Sequence, residues 1–142
     1  MVTIFDTFGT DDDLRAILDM HTWAIVGLSG DPWRDATDVA AFLQRHGKRI
    51  VPVHPTATEV LGEKVYRTLA DIPFPIDVVD VFRRSEEAGV HADEAVAIGA
   101  KAVEFQLGVI DEQAWERTKA AGLLMVMNAC PERDWPRLMG PS

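Results

Sequence analysis

The sequence predicts an α/β fold: a Rossmann-like, doubly wound, mainly parallel sheet of about five strands flanked by helices. Three observations predict it. Short runs rich in Val and Ile alternate with segments of helical periodicity, which implies parallel strands joined by right-handed crossovers. Runs such as "WAIVGL" and "LLMVMN" are apolar almost throughout, as strands covered on both faces must be. The first of these runs ends in a small-residue turn, Gly27-Leu28-Ser29-Gly30, and a helical pattern follows. Strand one is expected at the centre of the sheet.

Thr10 followed by "DDDLRAILDM" reads as a capped helix over residues 10–20. Acids lie at its positive end, and Leu14, Ile17 and Leu18 share one face. The first strand runs from about Thr22 to Leu28. In "DATDVAAFLQRHG", Val39, Phe42, Leu43 and His46 share a helical face, and Gly47 is the stop. "KRIVPV" is the second strand. The connection "HPTATEVLGEKVYRTLADIPFP" is stiffened by prolines and carries a short strand at Lys64 to Tyr66 and a helical turn at Leu69 to Ile72. "IDVVDVF" is the next strand, although Asp77 and Asp80 break its apolar run. Val90 to Gly99 reads as helix, "KAVEFQL" as strand, "DEQAWERTKAAG" as a helix starting near Asp111, and "LLMVMN" as the last strand. The proline-bearing tail over residues 130–142 is expected to be irregular.

At 142 residues the chain suits a single domain spanning residues 1–142. Its net charge of -9 disfavours nucleic acid or an anionic membrane as partner, since either would repel the average surface. A small anion held by local N–H groups and arginines is compatible with that charge. The single cysteine, Cys130, excludes an intrachain disulfide and a multi-cysteine zinc site. No apolar run spans a membrane, and Asp6 and Asp11 to Asp13 interrupt the place of a signal peptide, so the expected location is cytoplasmic.

Doubly wound sheets bind ligands beyond the carboxyl ends of their strands. After strand one, Gly27 permits a tight turn. Ser29 and Gly30 offer backbone N–H groups near the positive end of the next helix, which favours a pyrophosphate. A plain strand-to-helix turn would use the same glycines, and the spacing is not the Gly-x-Gly-x-x-Gly fingerprint. The end of strand two discriminates further. NAD-binding folds place a carboxylate there for the ribose hydroxyls, whereas this chain has Val53, His54 and Pro55. A nucleotide with a phosphorylated ribose fits that substitution: coenzyme A, or less well NADP. Arg83 and Arg84 stand where they would pair with phosphate, or else with Glu86 and Glu87 in solvent. Cys130 has no neighbouring base or cation in sequence to form a thiolate and reads as a packing residue. His21, His46 and His91 lack metal-ligand spacing. "GLSGD" departs from the Gly-x-Ser-x-Gly hydrolase elbow, because Asp31 stands in place of the second glycine.

The collinear stretches "AIVGLSGDP", "GKRIVPVHP", "EVLGEKVYRTLADIP", "DVVDVFRRSEE", "AIGAKAVEFQLGVI" and "AAGLLMVMNACP" cover about Trp23 to Leu138. As an ordered set they resemble the small stand-alone CoA-binding domain proteins (the YccU-like group), which are similar to the nucleotide-binding domain of the succinyl-CoA synthetase alpha subunit. The resemblance implies CoA or acyl-CoA as ligand. It places Gly27, Ser29 and Arg34 in the phosphate loop, and Val53, His54 and Pro55 at the adenosine end. Phe82 and Arg83 flank the nucleotide, and Gln106 and Gly108 close the far side with Asn128 and Pro131. The chain departs from the family at His54, where Asn is frequent. It departs again at Ala36-Thr37, where Ser-Tyr is frequent. At Glu104-Phe105, where Trp-Met is frequent, the departure is expected to make that wall more acidic. The synthetase's phosphorylated histidine lies on a separate domain that a chain of this length does not accommodate. The resulting expectation is a binding module without catalytic chemistry. An NAD(P)-binding oxidoreductase or redox-sensing domain, and a partner subunit with a vestigial pocket, stand as alternatives. Assembly as a homodimer or with a partner protein is left open.

Overall fold

The computed structural model describes residues 7–28, 30 and 35–140. Five parallel strands form the main sheet: β1 (Thr22–Val26), β2 (Arg49–Val53), β5 (Val78–Val81), β6 (Ala102–Phe105) and β7 (Leu124–Val126). A small antiparallel hairpin, β3 (Glu59–Val60) and β4 (Glu63–Lys64), interrupts the series. Its turn places Leu61 and Gly62 at positive φ (52° and 79°), the backbone a tight two-residue hairpin demands. The helices are α1 (Asp11–Leu18), α2 (Asp35–Arg45), α3 (Ser85–Ala97), α4 (Glu112–Ala120) and α5 (Pro131–Met139).

The main sheet has the order β2-β1-β5-β6-β7. The chain builds outward from β1 to β2, then crosses back to β5 and builds the other way. β1 is therefore interior, but β5 occupies the centre. The switch point, where such folds bind ligands, lies between the carboxyl ends of β1 and β5.

Alternate strand residues serve opposite faces. Trp23 and Ile25 join Leu14, Ile17 and Leu18 of α1 and Val39 and Leu43 of α2 on one side. Ala24 and Val26 join Ala88, Ala92 and Ala95 of α3 and Ala114 of α4 on the other. The sequence pattern places α1, α2 and α4 within two or three residues of their observed bounds. Thr10 caps α1 by accepting the Asp13 N–H (3.1 Å), and Asp111 caps α4 by accepting from Ala114 (3.1 Å).

Three expectations are corrected. α3 begins at Ser85, five residues before the expected start, because its buried stripe is Ala88, Gly89, Ala92 and Ala95. Residues that small let α3 approach α4 closely but leave almost no amphipathic signal. The tail is not irregular: residues 131–139 form α5. Pro131 occupies the first turn, where its missing N–H leaves no bond unmade. Leu138 is buried, Trp135 packs edge-on against Phe42 (5.8 Å between centroids), and Arg137 reaches Asp11 of α1 (2.8 Å). Packing on α1 and α2 outweighs the ladder bond lost at Pro136. The short strand expected at Lys64 to Tyr66 is divided. Lys64 belongs to the hairpin, and Tyr66 bridges in parallel to Val53.

Among the described residues no helix is long and apolar enough to cross a membrane.

Candidate functional site

Gly27 ends β1 with φ +97°. Its N–H donates to the Val53 carbonyl (2.9 Å), while the Phe82 N–H donates to Val26 (3.0 Å). The ends of β2, β1 and β5 are thus bonded together at the switch point. A Cβ on Gly27 would stand 3.1 Å from the Phe82 carbonyl oxygen, so the close approach of these ends depends on glycine.

Two cavities open there, and both are lined by Gly27 and Arg83. The larger, about 330 Å³, runs from Asp35 and Ala36 at the start of α2, past Phe82 and Arg84, to Gln106 through Val109. The first turns of α2 and α3 bring two positive helix ends to its rim. The smaller, about 200 Å³, is lined by Val26, Val53, His54, Pro55, Arg67 and His91 besides the shared pair. Among the described residues no carboxylate lines it.

Of the residues singled out in the sequence, Gly27, Val53, His54, Pro55, Phe82, Arg83, Gln106 and Gly108 come together around these cavities. Ser29 and Arg34 lie outside the described residues. Gly30 (φ +85°) turns instead toward Val60 of β3, whose Cγ2 is 3.3 Å from where a Cβ would stand. Asn128 lines neither cavity. It is buried, and its Oδ1 accepts the Gly108 N–H (2.8 Å), so it holds the 106–108 loop from behind. Pro131 opens α5 and also lies away from the lining.

His54 replaces what an Asn would do. Its Nδ1 accepts the N–H groups of Thr56 (3.2 Å) and Ala57 (3.1 Å), pinning the turn after β2. In the neutral ring the proton is therefore on Nε2, which is left as a donor. Arg83 and Arg84 share Glu87 (3.0 and 3.1 Å) and both also line the larger cavity. The hydrogen bond that Arg84 donates to Glu87 raises the Arg84 pKa. Ser85 ties the start of α3 to the far wall, donating to the Gly108 carbonyl (3.2 Å) and accepting from the Ile110 N–H (3.0 Å).

Glu104 does not make the wall more acidic. It lines neither cavity and is fully buried, and that burial, with the charge of Asp80, pushes its pKa well above the ordinary value. Cys130 is buried, and burial pushes its thiol pKa up against weaker help to the thiolate from a Gln106 hydrogen bond. Sequence reasoning missed Arg67 and His91 as lining residues. Arg67 follows the short strand that was expected at Lys64 to Tyr66, so its place at a strand's carboxyl end was a usable signal. His91 lies mid-helix and carried none.

A family model described as a CoA binding domain matches residues 21–136. The chain is 39% identical over 107 residues to the uncharacterized protein YneT of Bacillus subtilis (strain 168), a span of 75% of this chain and 79% of YneT. It is similar to the solved structure of a hypothetical protein from Pyrococcus horikoshii OT3, at 40% identity and a TM-score of 0.87, covering 92% of this chain and 93% of that one. It is also similar to the crystal structure of Prb, the PH1109 protein redesigned for binding, at 41% identity and a TM-score of 0.88, covering 94% of each chain.

Proposed function

Because the chain belongs to the CoA-binding domain family, we propose that it binds coenzyme A or an acyl-CoA across the ends of β1, β2 and β5, as a cytoplasmic single-domain binding module without covalent chemistry of its own. The smaller cavity supports this reading best. In a chain of net charge -9, its lining holds Arg67 and Arg83 and, among the described residues, no carboxylate. An NAD site calls for an acid at the end of β2, where this chain has Val53, His54 and Pro55. The adenosine end then occupies the smaller cavity, and the pyrophosphate lies over Gly27 beside the starts of α2 and α3. The pantetheine arm runs along Phe82 and the 106–109 loop. Ser29 and Arg34 complete the phosphate loop, as the family resemblance implies.

Titration with CoA should stabilise the protein by about 2.7 kcal/mol at 100 times the dissociation constant. Arg83→Ala should lower the affinity by roughly 1.5–3 kcal/mol through loss of a charge-assisted bond. Arg117→Ala should leave binding unchanged, since Arg117 pairs with Asp93 (3.1 Å) across α3 and α4. A larger melting shift with NADH than with CoA reverses the reading, and equal losses in the two variants would misplace the site.

His54 has its Nδ1 lone pair engaged by backbone N–H groups and Nε2 protonated, so in its neutral form it is a donor and a poor base. Incubation with acetyl-CoA or a longer acyl-CoA should release no free thiol. Ser29→Ala should weaken CoA binding by only about 0.5–1.5 kcal/mol, the worth of a neutral hydrogen bond. Thiol release by the wild type that disappears in Ser29→Ala would make Ser29 catalytic.

A further inference from the structure

Tyr66 is fixed beside the end of β2 by two backbone bonds. Its N–H donates to Pro52 (3.0 Å), and its carbonyl accepts from the His54 N–H (3.0 Å). The parallel bridge from Val53 to Tyr66 extends the sheet by one short step. The next residue, Arg67, is thereby delivered to the rim of the smaller cavity, level with the strand end. The basic side chains around that cavity are not equivalent. Arg83 is paired with Glu87 (3.0 Å), and His91 Nδ1 lies 2.7 Å from Glu94. Arg67 is exposed and has no ion-pair or hydrogen-bond partner among the described residues.

In doubly wound sheets the ribose of a bound nucleotide lies at the end of the second strand. A phosphate monoester on that ribose carries nearly two negative charges, more than one already paired arginine answers. A guanidinium can take two of its oxygens at once. We infer that Arg67 grips a phosphate monoester on the ribose of the bound nucleotide, with the His54 Nε2–H as a neutral second donor. On the CoA reading above, on which this inference rests, that group is the 3′-phosphate. Arg67 is then the residue that separates CoA from nucleotides lacking it.

Calorimetric titration of the full chain with CoA, 3′-dephospho-CoA, NADP and NAD tests this. The wild type should bind CoA about 10- to 100-fold more tightly than dephospho-CoA. Arg67→Gln should abolish that preference by weakening CoA alone, and Arg67→Lys should retain part of it, since the charge remains without the planar fork. An unchanged melting temperature of the ligand-free variants shows that the fold is intact, as expected for an exposed side chain. Equal wild-type affinity for CoA and dephospho-CoA overturns the inference and leaves the CoA reading standing, as does an equal loss for both ligands in Arg67→Gln. NADP bound more tightly than CoA, with a preference over NAD that Arg67→Gln erases, upholds the ribose-phosphate grip and overturns the CoA reading. Failure of all four to bind overturns both.

Discussion

Gly27→Ala should cost the ligand-free protein about 2–4 kcal/mol, and Gly47→Ala only about 1–2 kcal/mol. Both glycines sit at positive φ, +97° and +78°, so any side chain at either pays backbone strain. They differ in what a Cβ would meet. At Gly47 nothing lies within 4 Å, whereas at Gly27 the Phe82 carbonyl oxygen stands at 3.1 Å and the Arg83 Cδ at 3.5 Å. The Phe82 carbonyl cannot swing aside freely, because the Phe82 N–H is bonded to Val26 (3.0 Å) and Arg84 N-caps α3 two residues on. The substitution therefore pushes the ends of β1 and β5 apart at the switch point. The stabilisation by CoA should be lost in Gly27→Ala and kept in Gly47→Ala. Urea unfolding of both variants, with and without CoA, gives the comparison. Equal costs would mean that the close approach of these strand ends is not maintained in solution.

How much of this was legible in the sequence depends on what kind of signal each element carries. β1 and β7 are apolar runs long enough to announce themselves, and α1 and α4 carry capping residues that hold in the structure. The rule that ligands sit beyond strand ends led directly to Gly27, His54, Phe82, Arg83 and Gln106, because it needs only strand positions and not side-chain geometry. What escaped was tertiary. α5 has a one-sided apolar pattern and a proline at its start, but the second proline, Pro136, argues against a helix, and packing on α1 and α2 outweighs it. α3 buries alanines and a glycine, so its periodicity is nearly silent. Arg67 was hidden because a strand of such short length was not treated as having a carboxyl end. Asn128, expected to close the far side of the nucleotide, lines neither cavity, and its side chain holds the 106–108 loop from behind.

The protein should be more stable at mildly acidic than at neutral pH, and Asp80 and Glu104 are the reason. Registers across β1, β5, β6 and β7 set Ile25, Asp80, Glu104 and Val126 side by side in one row. Both acids are 0% exposed, and none of their four carboxyl oxygens has a hydrogen-bond partner among the described residues. Burial raises the pKa of Asp80 well above its ordinary value. Burial, then the charges of Asp80 and Asp134, do the same for Glu104, against a weaker opposing pull from Arg133. Asp134 itself is bonded to Arg133 (2.9 Å) and so offers the pair no relief. The folded state therefore holds protons that the unfolded chain releases above the usual carboxylate range. Stability from this source is fully present below the unfolded pKa and is lost as pH rises toward the raised folded values, by about 1.4 kcal/mol per pH unit for each proton held. Asp77 acts in the opposite sense. Burial resists its ionisation, but the Thr22 N–H (3.0 Å) and Lys101 (3.3 Å) outweigh it and lower its pKa, so its contribution disappears only in stronger acid. Denaturant midpoints should fall in the wild type as pH rises above the ordinary carboxylate range. Glu104→Gln and Asp80→Asn should each flatten that fall by removing a titrating group, while Asp77→Asn should leave it unchanged above the ordinary carboxylate range. Parallel slopes in the wild type and in the Asp80 and Glu104 variants would show that the buried pair does not carry protons into the folded state.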